Sequence, residues 1–433
     1  MFESEKEDSA DATLMRPSNW NADHTIDGDI DLNDNGIVFT SVTVEDVLDE
    51  DDLVSDSATK LATQQSIKAY VDAEHKETDI YGVTWGKVAS SVLTRTDDSV
   101  GMAAFPGLDT EVVRNDFDTA EIYKDIVEWT DTLDNVFIQI PKFYIQKKDS
   151  TVCKSIRISK IKWDSSWYLP YCFWDFTEEE ELDYVNVGKY TGYNNGGALE
   201  SKTGKTSTVS QTLAAFSGFA IANNTGGLLG YQILDLHTVD MLQCLFYVEF
   251  ATLNSQNIVA GFTDAGNAAQ INTGSCDAVV ATTGGVTSLT AGTGGMIYRG
   301  VENLWGNIWQ FVHGINIKAD RQTYVCLNPA SYAVDTFTSA YVTLSYANGA
   351  SNGYSITMGY DSAYPFAQSP TVIGGDGTNY YGDYYYQDTG DRIAVVGGYW
   401  NIAAFAGVSL WALNVASSSA DACIGCRLLK KAL

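Results

Sequence analysis

The side chains best suited to chemistry lie near the carboxyl end, where Cys423 and Cys426 form a CIGC run. A Cys-x-x-Cys pair binds zinc when a second pair is present, and exchanges thiols when it opens a helix after a strand. The chain has 7 cysteines but no second pair of this spacing, and apolar residues 428–429 continue the run as a terminal core strand. We therefore expect structural thiols.

Other patterns of catalytic residues are weak or missing. His237 and Asp240 lie three residues apart on a predicted helix, a spacing that a metal could use, but no third ligand is evident. The sequence lacks P-loop and HExxH motifs. A carboxylate pair for glycoside hydrolysis stays open, because nothing singles out one Asp or Glu. We expect a protein with no enzymatic activity, no cofactor and no metal site.

The amino-acid composition indicates which kinds of binding partner to expect. Of the 433 residues, 26 are Lys or Arg and 55 are Asp or Glu, which gives a net charge of −29. Such a chain repels phosphate backbones, so we expect no nucleic-acid partner. Hydrophobic residues make up 45%, enough for packed cores, and the length predicts two or more domains. The odd number of cysteines and the lack of a signal-peptide pattern predict synthesis in a reducing cytoplasm.

Residues 1–78 have the features of an attachment and oligomerisation region. They are acidic and polar, and short strands are predicted at residues 37–40 and 42–44. Residues 57–75 carry a weak apolar face behind a capping Asp-Ser pair, which predicts a helix. Because a lone helix of this length is marginally stable in water, we expect it to pack against its own copies in a homotrimer. Packing on its own chain is the alternative.

From residue 79 the pattern is typical of a globular α+β fold. A small strand-rich module is predicted at residues 79–135, followed by a larger domain at residues 136–433. The strongest helix is predicted at residues 234–254, where apolar residues recur at helical spacing. The predicted strands cover residues 81–85, 92–96, 136–145 (interrupted by a proline) and 154–163.

Two aromatic-rich segments are the most distinctive part of the chain. Residues 305–312 contain WGNIWQFV and residues 397–401 contain GGYWN, and IGCRL follows at residues 424–428. With the strand near residue 136 and the helix near residue 234, this order resembles the C-type lectin fold of the formylglycine-generating-enzyme type. Variable proteins of diversity-generating retroelements share that fold. The resemblance covers residues 136–433 and implies a C-type-lectin-like receptor-binding domain.

The N-terminal part resembles phage tail fibres separately. Residues 14–24, with the sequence LMRPSNWNADH, are similar to a segment near the start of tail-fibre proteins. Residues 57–71 resemble a helix of the same proteins. The resemblance implies a virion tail protein, made in the host cytoplasm, that contacts other tail proteins through its N-terminal region.

Two departures from the lectin-type families bear on function. Formylglycine-generating enzymes use a copper-binding cysteine pair, whereas Cys423 and Cys426 fall inside the terminal strand motif instead of upstream of it. Calcium-dependent lectins carry Glu-Pro-Asn or Gln-Pro-Asp triplets and a Trp-Asn-Asp triplet, which this sequence lacks. Both departures favour a binding protein without a metal.

In the retroelement-diversified relatives, variable positions follow the Gly-Gly-x-Trp motif, so the resemblance implies a ligand-binding surface there. Candidate contact residues of suitable type are Tyr399, Ile402, Phe405, Ser409, Ala412, Val415, Ser418 and Asp421. Cys423 is of suitable type as well, but we expect it to be a structural thiol. Tyrosine rings stack on sugars, which adds two flanking candidates, Tyr384 and Tyr385. The expected scaffold is Trp305, Asn307, Trp309, Trp400 and Trp411. An ordinary core or loop role for these positions is the alternative.

These expectations combine into a receptor-binding protein of the phage-tail-fibre type. Its expected partner is a protein or glycan on the host cell surface, bound through the C-terminal surface. Two alternatives remain open from the sequence. One is a structural tail or baseplate decoration protein without a receptor, and the other is an oxidase of the formylglycine-generating type.

Overall fold

Alternating apolar and polar residues, with frequent Gly and Asn between them, favour strands and turns over most of the chain. The computed structural model describes residues 37–39, 42–44, 46–48, 60–63, 66–67, 79–105, 107–108, 115–266, 269–278, 284–286 and 293–433. Strands account for 38% of them and helical turns of all kinds for 13%. The α+β expectation is wrong, because the fold is built mainly of β-sheets.

The chain divides into two compact units, residues 1–78 and residues 79–433. In the first unit two pairs of short strands are described. The antiparallel pair is β1 (Ile37–Phe39) and β2 (Val42–Val44), and the parallel pair is β3 (Asp46–Leu48) and β4 (Lys60–Ala62).

These strands test part of the sequence reasoning for the first unit. The strands predicted at residues 37–40 and 42–44 are confirmed. The helix predicted at residues 57–75 is wrong where it covers β4. Residues 66–67 are helical as predicted, and most of the remaining residues of this range lie outside the described residues. The tail-fibre-like segment at residues 14–24 also lies outside the described residues.

The second unit continues the numbering of the strands. They are β5 (Ile80–Trp85), β6 (Thr94–Asp97), β7 (Gly107–Leu108), β8 (Val127–Thr130), β9 (Val136–Pro141), β10 (Tyr144–Asp149), β11 (Lys154–Ser159), β12 (Trp167–Tyr168), β13 (Trp174–Asp175), β14 (Glu180–Glu181), β15 (Tyr184–Thr191), β16 (Tyr193–Asn195), β17 (Ala198–Glu200), β18 (Tyr231–Ile233), β19 (Gly284–Val286), β20 (Met296–Tyr298), β21 (Val301–Glu302), β22 (Trp309–Ile317), β23 (Gln322–Cys326), β24 (Tyr341–Ala347), β25 (Gly353–Met358), β26 (Pro370–Ile373), β27 (Tyr384–Gln387), β28 (Arg392–Gly397), β29 (Gly407–Val415), β30 (Ile424–Gly425) and β31 (Arg427–Lys431). The α-helices with described bounds are α1 (Leu213–Ile221) and α2 (Leu236–Phe250).

Three larger sheets organise this unit. The first has the order β12-β10-β11-β5-β6, and the second has the order β18-β31-β15-β9-β8. The third is a nine-stranded sheet with the order β24-β23-β22-β28-β29-β27-β25-β26, in which β30 also pairs with β22. Residues 79–135, expected to form a module of their own, contribute β5 and β6 to the first sheet.

Helix α2 confirms the helix predicted at residues 234–254 and lies between the first sheet and the nine-stranded sheet. The Asp235 side chain caps it by accepting from the Thr238 N–H. All of its residues are buried, including two carboxyl groups. Asp240 pairs with Lys147, and Glu249 pairs with Arg299 at 2.6 Å. Removing one member of such a pair leaves an uncompensated buried charge, at a cost of roughly 3–5 kcal/mol.

The two faces of the nine-stranded sheet pack against different partners. Successive side chains of a strand point to opposite faces. On β29, Trp411 and Leu413 join the core that contains α2, whereas Leu410 and Ala412 join a second core that contains α1. The second core covers only part of its face of the sheet, and the candidate site lies beside it.

Candidate ligand-binding surface

The site begins with strand β27, which pairs parallel with β29 and antiparallel with β25. Tyr385 points into the core, where it is fully buried and its hydroxyl donates to the Gly349 carbonyl at 3.1 Å. Because side chains alternate along a strand, Tyr384 and Tyr386 lie on the opposite face, where both are half-buried. Their rings therefore reach the surface.

The loop between β28 and β29 carries further aromatic rings. Gly397 has a φ of 84°, and a Cβ added there would lie 2.9 Å from the Leu304 carbonyl oxygen. Only glycine allows this close turn over the core. On the far side of the loop, the Gln256 side-chain amide donates to the carbonyls of Ala403 and Ala406, both at 2.7 Å. The loop is thus held at both ends.

These elements bring seven aromatic rings into one continuous row, which we call the aromatic surface. Neighbouring ring centroids lie 4.3 to 6.1 Å apart. The row runs in the order Trp400, Tyr399, Trp309, Tyr386, Tyr384, Phe405 and Tyr354. Large rings of this kind offer much apolar area to a partner, and tyrosine hydroxyls add hydrogen bonds.

A pocket of about 260 Å³ opens in the middle of the aromatic surface. Its floor is formed by Val395 and Ala412, which face each other across β28 and β29. Its exposed polar side chains are Asn414 and Asp421. The rest of the lining consists of Trp309, Tyr386, Tyr399, Ile402, Val415, Cys423 and Ile424. No lysine, arginine or histidine is among these lining residues.

Burial keeps the weakly acidic groups of the pocket protonated. It raises the pKa of Tyr386 to about 12, and burial together with the nearby Asp421 raises the pKa of Cys423 to about 11. Burial also raises the pKa of the Cys426 thiol. A thiol is a nucleophile and a metal ligand only as the thiolate. Neither cysteine is therefore a ready nucleophile at neutral pH.

Five predicted contact residues line the pocket. They come from the loop, from β29 and from the segment before β30, and are Tyr399, Ile402, Ala412, Val415 and Asp421. Phe405 is 37% exposed and lies on the adjoining part of the aromatic surface together with Tyr384. Ser418 is exposed but does not line the pocket.

The expectation of ligand contact is wrong for two residues. Ser409 is 1% exposed and is hydrogen-bonded to the Tyr247 hydroxyl at 2.7 Å, beside α2. Tyr385 is buried on the inner face of β27. Both errors come from the alternation of side chains along strands whose register the sequence does not reveal.

Sequence reasoning also missed Tyr386, Val395, Asn414 and Ile424 as lining residues. The period-two pattern of the tyrosine-rich run was the available signal for Tyr386, because Tyr384 and Tyr386 must share a face once the run is a strand. Val395 and Ile424 come from strands distant in sequence, and no local pattern indicates that they meet.

The expected scaffold residues separate into two groups. Trp305 and Trp411 are fully buried, and the Trp305 Nε1 donates to the Val259 carbonyl at 3.1 Å. Asn307 is also buried, and its amide exchanges two hydrogen bonds with the Ile271 backbone, at 3.0 and 3.2 Å. The second group, Trp309 and Trp400, forms part of the aromatic surface itself.

A second pocket, of about 350 Å³, lies elsewhere in the unit. Its charged side chains are already paired: Lys189 with Glu128 at 2.8 Å, and Arg299 with Asp118 at 2.9 Å. A ligand would have to break these ion pairs, so the smaller aromatic pocket is the better candidate site. Across the described residues, no cluster of three His, Cys, Asp or Glu side chains could hold a metal ion.

Comparisons with known proteins leave the chain without a family. No protein-family model and no curated protein matches it. Among the residues that the structure describes, no helix is long and apolar enough to cross a bilayer. The interpretation of function therefore depends on the site.

Proposed function

We propose that this chain is a receptor-binding protein, of the kind that phage tail fibres use to attach to host bacteria. The observation that carries the proposal is the aromatic surface. Six of its seven rings are half-buried or exposed, and only Trp309 is buried. A row of surface rings of this length is unusual unless a partner covers it. Large rings around a pocket are also the commonest source of binding energy at interfaces.

Two further features support an adhesin over an enzyme. The pocket is lined mainly by aromatic and aliphatic residues, and its thiol is held protonated, so it provides binding area without an activated cysteine nucleophile. The rings lie on strands and on a loop held by hydrogen bonds from the Gln256 amide, which presents them in one geometry. In a trimer, three such surfaces would turn weak single contacts into strong attachment.

The link to a phage tail comes from the similarity of residues 14–24 and 57–71 to tail-fibre segments. We infer that the N-terminal unit joins the chain to other tail proteins in the virion. The receptor would be a protein or glycan of the host surface, and the reaction would be binding alone, without a cofactor.

The test is binding of the fluorescently labelled full chain to a panel of candidate host bacteria. We expect strain-selective binding that is lost in Tyr399→Ala/Phe405→Ala, because this pair removes rings from both sides of the aromatic surface. The matched control is Val88→Ala/Val152→Ala, which removes apolar side chains that are 59% and 71% exposed and lie outside the site. Circular dichroism checks that each variant is folded.

One outcome would overturn the proposed function, and another would overturn the proposed site. Absence of binding to every strain by folded, oligomeric protein would favour a structural tail or baseplate protein. Selective binding that survives Tyr399→Ala/Phe405→Ala would keep the adhesin but exclude the aromatic surface as its site.

A further inference from the structure

Three aromatic rings line the pocket, and we call this group of rings the cage. Trp309 stands between two tyrosines, with ring centroids 6.0 Å from Tyr386 and 6.1 Å from Tyr399. The Tyr386 ring is nearly perpendicular to the indole, at 82°, whereas the Tyr399 ring is closer to parallel, at 25°. Aromatic faces carry partial negative charge, so rings on several sides of one pocket favour a cation between them.

The charges around the cage also favour a cation. Asp421 supplies a carboxylate to the lining, and among the described residues its side chain has no hydrogen-bond or ion-pair partner. No lining residue is basic. The whole chain carries a net charge of −29, which adds a negative background. An anionic ligand is therefore disfavoured at this pocket.

The walls distinguish between kinds of cation. A primary ammonium group has three N–H donors and is strongly hydrated, so it needs several acceptors in its site. Beside the rings, the lining includes the aliphatic side chains of Val395, Ile402, Ala412, Val415 and Ile424. Methylation removes the N–H donors and spreads the positive charge over an apolar surface, which suits such walls.

We propose that the pocket binds a methylated ammonium group. This inference rests on the proposed function, because it names the chemical group of the receptor that enters the aromatic surface. The same group occurs in choline-type headgroups and in methylated lysine side chains. The carboxylate of Asp421 attracts the charge, and the three rings surround the methyl groups.

The test is titration of the intact chain with choline, followed by ligand-observed NMR. The matched probe is 3,3-dimethylbutan-1-ol, which has the same shape without the charge. We expect choline to bind at least about fivefold more tightly, the effect of a cation over desolvated aromatic faces. Equal affinity for the two probes would overturn the proposal, as would binding of neutral methyl glycosides in preference to choline.

Variants locate the site and separate the charge from the rings. Asp421→Asn and Tyr399→Leu should each weaken choline binding severalfold, whereas Glu178→Gln, an exposed carboxylate far along the chain, should leave it unchanged. Loss in Glu178→Gln as well would indicate a bulk charge effect and reject the cage. A peptide with trimethyl-lysine, run beside choline, identifies which source of the group binds better.

The two proposals can fail independently. If bacteria bind through the aromatic surface but choline does not enter the pocket, the adhesin stands and the ligand class is wrong. If choline binds but no bacterium does, the cage stands and the receptor-binding function is wrong.

Discussion

Lys154 provides a sharp test of the buried electrostatics behind the tyrosine-rich segment. Its side chain is buried, and among the described residues it pairs with no carboxylate. The ammonium donates only to the Gln368 Oε1 and the Tyr381 hydroxyl, both at 2.8 Å. Burial, reinforced by the charge of Lys147, lowers the pKa of Lys154 to about 7.

This lowered pKa makes the free energy of unfolding depend on pH. An unfolded lysine has a pKa of about 10.4, so between about pH 7 and pH 10 the unfolded chain binds more protons than the folded chain. Stability therefore rises with pH through this window. Below pH 7 the buried charge of Lys154 lowers the free energy of unfolding by roughly 4–5 kcal/mol, because the folded and unfolded pKa values differ by about 3.4. At about pH 9.5 this destabilisation has fallen to roughly 1 kcal/mol.

Lys154→Met keeps the length of the side chain and removes the amine. Relative to the wild type, we expect the variant to gain roughly 3 kcal/mol in free energy of unfolding as the pH is lowered from about 9.5 to about 7. Urea denaturation followed by tryptophan fluorescence at several pH values in this range measures the difference. Lys318→Met, which alters an exposed lysine, is the control and should show no such trend. A constant difference between Lys154→Met and the wild type would refute the reasoning.

Three further variants test two glycine positions and one buried carboxyl group. Gly407→Ala would place its Cβ 2.0–2.3 Å from the Asp383 carboxyl group, so we expect thermal denaturation to show a loss of roughly 1–3 kcal/mol. At Gly218, within α1, an added Cβ would have nothing within 4 Å. We expect Gly218→Ala to increase the free energy of unfolding by roughly 0.5–1 kcal/mol and so to raise the midpoint of thermal denaturation. Burial raises the pKa of Asp383 to about 7. In the unfolded chain an aspartate loses its proton near pH 4, so the free energy of unfolding falls as the pH rises from about 4 to about 7. Asp383→Asn should flatten that part of the pH–stability curve, and an unchanged curve would contradict the assignment.

Local sequence patterns predicted individual helices and strands better than they predicted which parts of the chain pack around them. The apolar spacing at residues 234–254 was enough to predict α2, but it indicated one apolar face, whereas α2 is buried on all sides. The partner that makes Asp240 tolerable there is Lys147, 93 residues away. The run at residues 136–145 was predicted as one strand, and the chain in fact leaves one sheet and enters another between β9 and β10. Long-range pairing of this kind leaves no local signal.

At the candidate site, too, the sequence indicated residue types but not the strand pairing that brings them together. Three candidates taken from the residue types after the Gly-Gly-x-Trp motif, Tyr399, Ile402 and Asp421, line one pocket in the structure. The parallel pairing of β27 with β29 decides which tyrosines join them. That pairing depends on segments about thirty residues apart and on core packing, so the sequence could not distinguish Tyr385 from Tyr386.

The position of β31 has a consequence for synthesis of the protein. This late strand lies inside the second sheet, between β18 and β15, and not at an edge. Its Arg427 is fully buried and donates to the carbonyls of Gly188 and Glu302, both at 2.7 Å. The sheet therefore cannot close while the ribosome still holds residues 427–431, and folding of this unit must wait until they emerge. A chain without these residues would leave β18 and β15 unpaired on that side and expose them to aggregation and proteolysis.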